Sequence, residues 1–179
     1  MAKVVLKLGD DVSTDLIYPG RFMATVLPTE TPQFAFADIE FNAKLKAGEV
    51  APGSVIVADK NFGCGSSREQ AASTLKGWGL VVVAKNYSRI FIQNSINLGQ
   101  PTVICPTLEA SEGDDLEITD TEVVNKTTGK SFPAEPLPQA RQAIVDAGGL
   151  IPYARKKLVE ARGREARRTR SEPGGGLSA

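Results

Sequence analysis

Alternating apolar and polar residues open the chain, and residues 3–7, Lys3-Val4-Val5-Leu6-Lys7, predict a first strand. Gly9-Asp10-Asp11-Val12-Ser13-Thr14-Asp15 then reads as a polar loop, and Leu16-Ile17-Tyr18-Pro19-Gly20 runs into a turn. Between 21 and 36, Pro28 and Pro32 stand among threonines and phenylalanines. That is poor helix material and predicts a long loop, mobile in the isolated chain. Asp38 to Lys46 has the pattern of a short helix closed by Gly48.

Two strand–helix units follow. Ser54-Val55-Ile56-Val57-Ala58 leads through a glycine-punctuated turn to a helix over 67–76, stopped by Gly77 and Gly79. Leu80-Val81-Val82-Val83-Ala84 is a continuous apolar run, as a strand covered on both faces requires. A helix over 87–98 carries Ile90, Phe91, Asn94 and Leu98 at helical spacing, with Gly99 and Pro101 as stop signals. Residues 102–105 close the series as a strand. Such βαβ units predict an α/β fold with parallel strands and right-handed crossovers. After Pro106 the texture changes to Asp115-Leu116-Glu117-Ile118-Thr119 and a hairpin around Lys126-Thr127-Thr128-Gly129. A last amphipathic helix over 137–147 ends at Gly148-Gly149. Residues 1–161 form one domain in this reading. From Arg162 a basic, then glycine-rich stretch lacks apolar anchors, so 162–179 is expected to be disordered.

Composition narrows the classes. With 179 residues, 41% hydrophobic and 23% charged, the chain suits one soluble domain with a real core. Twenty-one basic side chains balance 21 acidic ones, so overall charge steers it to neither nucleic acid nor membrane. No stretch approaches the ~20 apolar residues of a membrane span. Residues 1–7 are too short and charged for a secretory signal, which predicts a cytoplasmic location. Two cysteines and no histidine cannot make a four-ligand zinc or iron–sulfur site, so no metal is expected on this chain. Cys64 has no histidine of its own chain to activate it, and Cys105 reads as a small buried apolar residue.

The chemistry concentrates at Asn61-Phe62-Gly63-Cys64-Gly65-Ser66-Ser67-Arg68-Glu69. A strand enters a glycine turn, and two hydroxyls and an arginine sit where a helix begins. Unpaired N–H groups and partial positive charge at that end, joined by Ser66, Ser67 and Arg68, suit a carboxylate. The same residues have a structural reading. Ser66-x-x-Glu69 matches a capping box worth ~1 kcal/mol, and Gly63 and Gly65 would supply positive φ angles for a tight turn. Spacing alone leaves both open.

Three segments in order, Gly9–Asp15, Asn61–Glu69 and Asn94-Ser95-Ile96-Asn97-Leu98-Gly99, resemble the isopropylmalate-isomerase small-subunit family. That family is the detached swivelling domain of the aconitase superfamily, and the likeness spans about residues 3–153. The resemblance implies a swivelling β/β/α domain with helices on a mixed sheet. It implies a large-subunit partner holding a [4Fe–4S] cluster with one iron open to substrate. It further implies Ser66 as general base, Arg68 as the holder of a substrate carboxylate, with Ser67 and Gly65 beside it. Asp15 matches an active-site carboxylate that works with a histidine of the large subunit. The implied reaction moves a hydroxyl between adjacent carbons of an alkyl-malate by dehydration and rehydration, a step of leucine biosynthesis.

Substrate choice in such proteins lies in the loop after Asp15. Some relatives that act on longer tricarboxylates carry an arginine where this chain has Ala24, and Phe22 and Met23 offer an apolar wall. That favours an alkyl group over a charge, because an unpaired buried carboxylate is costly. Arg21 faces either solvent or, with a small shift of register, the site. Gln70 keeps a homoaconitase-like enzyme in play, and a 2,3-dimethylmalate dehydratase small subunit or a non-catalytic anion-binding module are further alternatives.

Overall fold

The computed structural model describes the backbone of residues 1–171 and side chains to Arg164. In chain order the elements are β1 (Ala2–Lys7), α1 (Thr14–Ile17), α2 (Phe41–Lys46), β2 (Val55–Ala58), α3 (Glu69–Gly77), β3 (Val81–Ala84), α4 (Arg89–Leu98), β4 (Thr102–Ile104), β5 (Asp115–Ile118), β6 (Glu122–Asn125), β7 (Lys130–Pro133), α5 (Gln139–Asp146) and α6 (Leu150–Ser171). Short 3-10 turns cover Gly20–Phe22 and Thr31–Phe34.

β2 and β3 are apolar at every position because both faces are covered. Val55, Val57 and Val83 point into one core with Val4, Leu116, Val123 and Phe132. Their neighbours Ile56, Ala58, Val82 and Ala84 point the other way, onto Phe62, Leu75 and Phe91 beneath the helices. Period-2 alternation thus divides one apolar run between two cores. Each fully buried Ile, Leu or Phe contributes about 1.5–3 kcal/mol of transfer energy.

The sheet order is β4-β3-β2-β1-β5-β6-β7. β1 to β4 run parallel and β1, β5, β6 and β7 pair antiparallel, giving the expected mixed sheet with βαβ units. The sheet curls until its two margins touch: the Glu135 N–H donates to the Ile104 carbonyl at 2.8 Å, beside the outer strand β4. Because the parallel strands share one polarity, the loops after β1 and β2 emerge side by side at their C-terminal ends, where open α/β sheets build sites.

Several boundaries differ from the sequence reading. The helix expected over 67–76 begins at Glu69, with Arg68 as its cap and no side-chain capping bond. The Ser66–Glu69 capping box is therefore absent; Ser66 lies two residues ahead of the cap, turned aside by the loop contacts described below. Gly148 and Gly149 do end α5, but the chain resumes at once as α6, which the sequence reading left out. Gly149 fits tightly against α4, where an added Cβ would stand 2.7 Å from the Asn97 carbonyl oxygen. Residues 162–171, expected to be disordered, continue α6; their Ala, Arg and Glu content favours helix. The remainder of that stretch, 172–179, lies outside the described residues.

The segment 21–36 is a loop, tied down at its ends. The Tyr18 hydroxyl donates to the Phe22 carbonyl at 3.0 Å, and the Phe22 and Phe34 rings stack at 4.1 Å. Buried Thr31 bonds Ser73 at 3.1 Å and accepts from the Thr74 hydroxyl at 2.9 Å, while the Trp78 indole donates to Pro32 at 2.6 Å. Val26 and Leu27 between these ties are 67% and 55% exposed.

Gly63 holds the turn after β2 at φ +78°, and a Cβ there would sit 2.2 Å from Cγ of Phe91. Gly63→Ala is expected to cost about 3 kcal/mol or more through combined strain and overpacking. Gly129→Ala, at φ +74° with open space around it, should cost only about 1–2 kcal/mol. Urea denaturation of the two variants measures the difference.

Candidate active site

Two loops are stitched together to make the site. The N–H groups of Gly63 and Cys64 donate to the Val12 carbonyl at 2.7 and 3.1 Å, and the Thr14 N–H donates to Cys64 at 2.8 Å. Thr14, which is buried, then clasps Ser66: its hydroxyl accepts from the Ser66 N–H and donates to the Ser66 carbonyl, both at 3.2 Å. Gly65 at φ +90° makes the sharp bend that this clasp needs. The Ser66 hydroxyl is thereby left exposed instead of turned back onto its own helix. Ser67 is exposed beside it, and its carbonyl accepts from the Asn94 amide of α4 at 3.3 Å.

Arg68 and Asp15 form an ion pair across the two loops. The arginine side chain is only 12% exposed, whereas that of Asp15 is 62% exposed. Nη1 of Arg68 carries the bond to Asp15 and a 3.4 Å bond to the Tyr18 carbonyl, while Nε is buried without a partner. Asp15 Oδ1 also accepts from the Gly20 N–H at 3.3 Å. The Arg68 guanidinium, first through its hydrogen bond and then through its charge, holds the Asp15 carboxyl below the usual carboxylate range, with Gly20 assisting against partial desolvation. Gly20 also lies close to the pair: a Cβ there would stand 3.1 Å from Arg68 Nη2 and 3.4 Å from Asp15 Oδ1, a tight fit that the two side chains would have to ease.

The structure therefore brings Asp15, Gly65, Ser66, Ser67 and Arg68 into one cradle. Phe22, Met23 and Ala24 are placed differently. The Phe22 ring packs inward against Tyr18 and Phe34, and Met23 and Ala24 are exposed on the following turn, with no bond to the cradle. Thr14, Gly20 and Asn94 belong to the site's framework, a part that sequence reasoning did not assign. Their only signals were membership of the Ser-Thr-Asp and Asn-Ser-Ile-Asn segments and a Pro-Gly turn. Cys64 donates its thiol to the Asp11 carbonyl at 3.4 Å, and burial in the second core pushes the Cys105 thiol up. Among the described residues no group of three or more His, Cys, Asp or Glu is placed to hold a metal ion. No helix among them is long and apolar enough to cross a membrane.

Residues 13–108, which contain the whole cradle, match the Aconitase C-terminal domain family. The chain belongs to that family. Among the relatives of this aconitase-type chain, the isopropylmalate/citramalate isomerase small subunit of Methanocaldococcus jannaschii is 43% identical over 164 residues, covering 88% of this chain and 95% of that protein. The 3-isopropylmalate dehydratase small subunit of Methanosarcina mazei is 44% identical over 158 residues, covering 86% and 96%. A crystal structure of 3-isopropylmalate dehydratase from M. jannaschii superposes with a TM-score of 0.80 at 39% identity, over 90% of this chain and 97% of that one. The fold is thus the aconitase-type small-subunit fold.

Two predictions follow from the cradle's geometry. Because Ser66 does not cap α3, Ser66→Ala should change the stability of the isolated chain by less than ~0.5 kcal/mol, not the ~1 kcal/mol of a lost cap; thermal melting distinguishes the two. Asp15 has a folded pKa below its unfolded one, so its contribution is full above pH ~4 and fades as pH falls through the lowered value. Mostly exposed and screened, it amounts to less than ~1 kcal/mol. Asp15→Asn should lose that increment at neutral pH and show a flatter acid limb in a pH series of melting temperatures.

Proposed function

We propose that this chain is the small subunit of a two-chain hydro-lyase that interconverts 2-isopropylmalate and 3-isopropylmalate. The observation that carries the reading is the open half-site: a largely buried arginine paired with Asp15, beside two exposed serines at the start of α3. Relatives named as small subunits of isopropylmalate isomerase and dehydratase support it.

Within this reading the substrate carboxylate binds Arg68, whose planar fork suits a bidentate partner. Ser66 takes the proton from the carbon next to that carboxylate. A serine hydroxyl is a weak base, so its alkoxide requires stabilisation by the free N–H groups of the first turn of α3 and the nearby Arg68 charge. Backbone bonds from Thr14 fix where that oxygen can stand. Asp15, kept ionised by Arg68, orients the guanidinium and a proton-carrying group of the large subunit. The partner's [4Fe–4S] cluster supplies, when bound, the Lewis acid that helps the hydroxyl depart. Met23 and Ala24, exposed on the turn after Gly20, border the alkyl group when the partner covers them, with the packed Phe22 ring behind them.

The cradle also explains why a partner is needed. Ser66, Ser67 and Asp15 face water in this chain alone, and charge stabilisation of the kind invoked is strong only where water is excluded. A closing large subunit provides that. The chain is expected to work in the cytoplasm, with no role for nucleic acid or membrane.

The test is anaerobic turnover with the cluster-loaded large subunit on 2-isopropylmalate, 2,3-dimethylmalate and homoaconitate. Isopropylmalate should be preferred. Ser66→Ala should lower kcat by about a thousandfold or more while the chain still folds and pairs, and Arg68→Lys should raise KM. Absence of turnover with an intact partner, combined with tight dicarboxylate binding by the chain alone, would replace this reading with an anion-binding module.

A further inference from the structure

Arg21 stands one residue from Gly20, whose backbone touches the Asp15–Arg68 pair. Its guanidinium is nevertheless engaged elsewhere. Nη1 donates to Asp38 Oδ2 at 2.9 Å and Nη2 to the other carboxylate oxygen, a two-point pair. The same group lies 4.6 Å over the Phe22 ring, which stacks on Phe34 at 4.1 Å. Arg21, Phe22 and Phe34 thus form a layered stack that starts one residue after Gly20, with Asp38 fastening its outer layer.

Asp38 is delivered to that position by an unusual piece of chain. Phe36 is fully buried in the left-handed region at φ +52°, with its N–H donating to the Ile17 carbonyl at 2.8 Å. The Ala37 N–H donates back to Phe34 at 3.2 Å. These ties return the loop to Arg21. The Arg21 and Asp38 side chains are 54% and 49% exposed, so the pair adds little to stability. What it does is hold the Arg21 guanidinium on the Phe22 ring and neutralise it, one residue from the Gly20 that contacts the Asp15–Arg68 pair.

We infer that Asp38 is a specificity-determining positioning residue: by locking Arg21 against Phe22 it keeps a second guanidinium away from the substrate, so the site accepts an alkyl arm and rejects a carboxylate arm. The inference rests on the dehydratase reading above. In that reading, 2-isopropylmalate and citrate share a malate core and differ at one arm, a branched alkyl group against a carboxymethyl group. A carboxylate arm entering beside this stack meets an arginine whose donors are already paired with Asp38 and whose flat face lies on Phe22. With Asp38 removed, Arg21 is free to pair with it.

The experiment uses the reconstituted two-subunit enzyme with wild-type, Asp38→Ala and Asp38→Ala/Arg21→Ala small subunits. Citrate is measured as a competitive inhibitor of 2-isopropylmalate turnover. In Asp38→Ala the citrate Ki is expected to fall about tenfold relative to the KM for 2-isopropylmalate, and the double variant should return to the wild-type ratio. A merely structural role would move Ki and KM together. An unchanged ratio in Asp38→Ala, or a gain that persists without Arg21, overturns the lock. Failure of the wild-type enzyme to turn over 2-isopropylmalate overturns the reading of the site, and the lock with it.

Discussion

The Val12 carbonyl accepting two backbone N–H groups from Gly63 and Cys64 is the contact on which the rest of the site depends. It joins the loop after β1 to the loop after β2 and sets the register in which Thr14 clasps Ser66 and Asp15 meets Arg68. Those loops can be neighbours only because β1 and β2 pair in parallel and end on the same side of the sheet. The site is therefore a product of strand polarity first and of side chains second. Gly63 is the narrowest point of the design, since Phe91 fills the space where any other residue would put its Cβ.

Electrostatically the cradle is asymmetric. Arg68 is mostly buried and Asp15 mostly exposed, so the cation is held by the fold while its counter-ion sits at the water boundary. A buried arginine with an unpartnered Nε is costly unless its remaining donors find an acceptor. Asp15 and the Tyr18 carbonyl satisfy one corner of the fork. The buried Nε is left without an acceptor among the described residues, so the pairing of this guanidinium is incomplete in the chain alone. The whole cradle lies within the segment that matches the Aconitase C-terminal domain family.

The two arginines near the site show how placement outweighs residue type. Arg68 enters from the start of α3 and is enclosed, whereas Arg21 sits on a 3-10 turn and is drawn outward by Asp38. The apolar wall expected from Phe22, Met23 and Ala24 turns out to be layered. Only Phe22 is packed, and its outer face is covered by the guanidinium.

Local sequence determined the strands and most helices, because apolar period and glycine stops act within a few residues. β2, β3, α3 and α4 were legible this way, and the residues of the cradle were legible as a motif with a family resemblance. The identity of the α3 cap was not. Ser66 satisfies the spacing of a capping box, but a buried threonine 52 residues earlier in the chain captures its backbone and turns the hydroxyl out. Nor could local pattern show that Gly148-Gly149 permits close packing against α4 before α6 begins, or that Asp38 would reach Arg21. The physical reason is the same in each case. Propensity and period are set by neighbours in the chain, whereas which donor meets which acceptor is set by strand order and loop return, and these exist only once the sheet has formed.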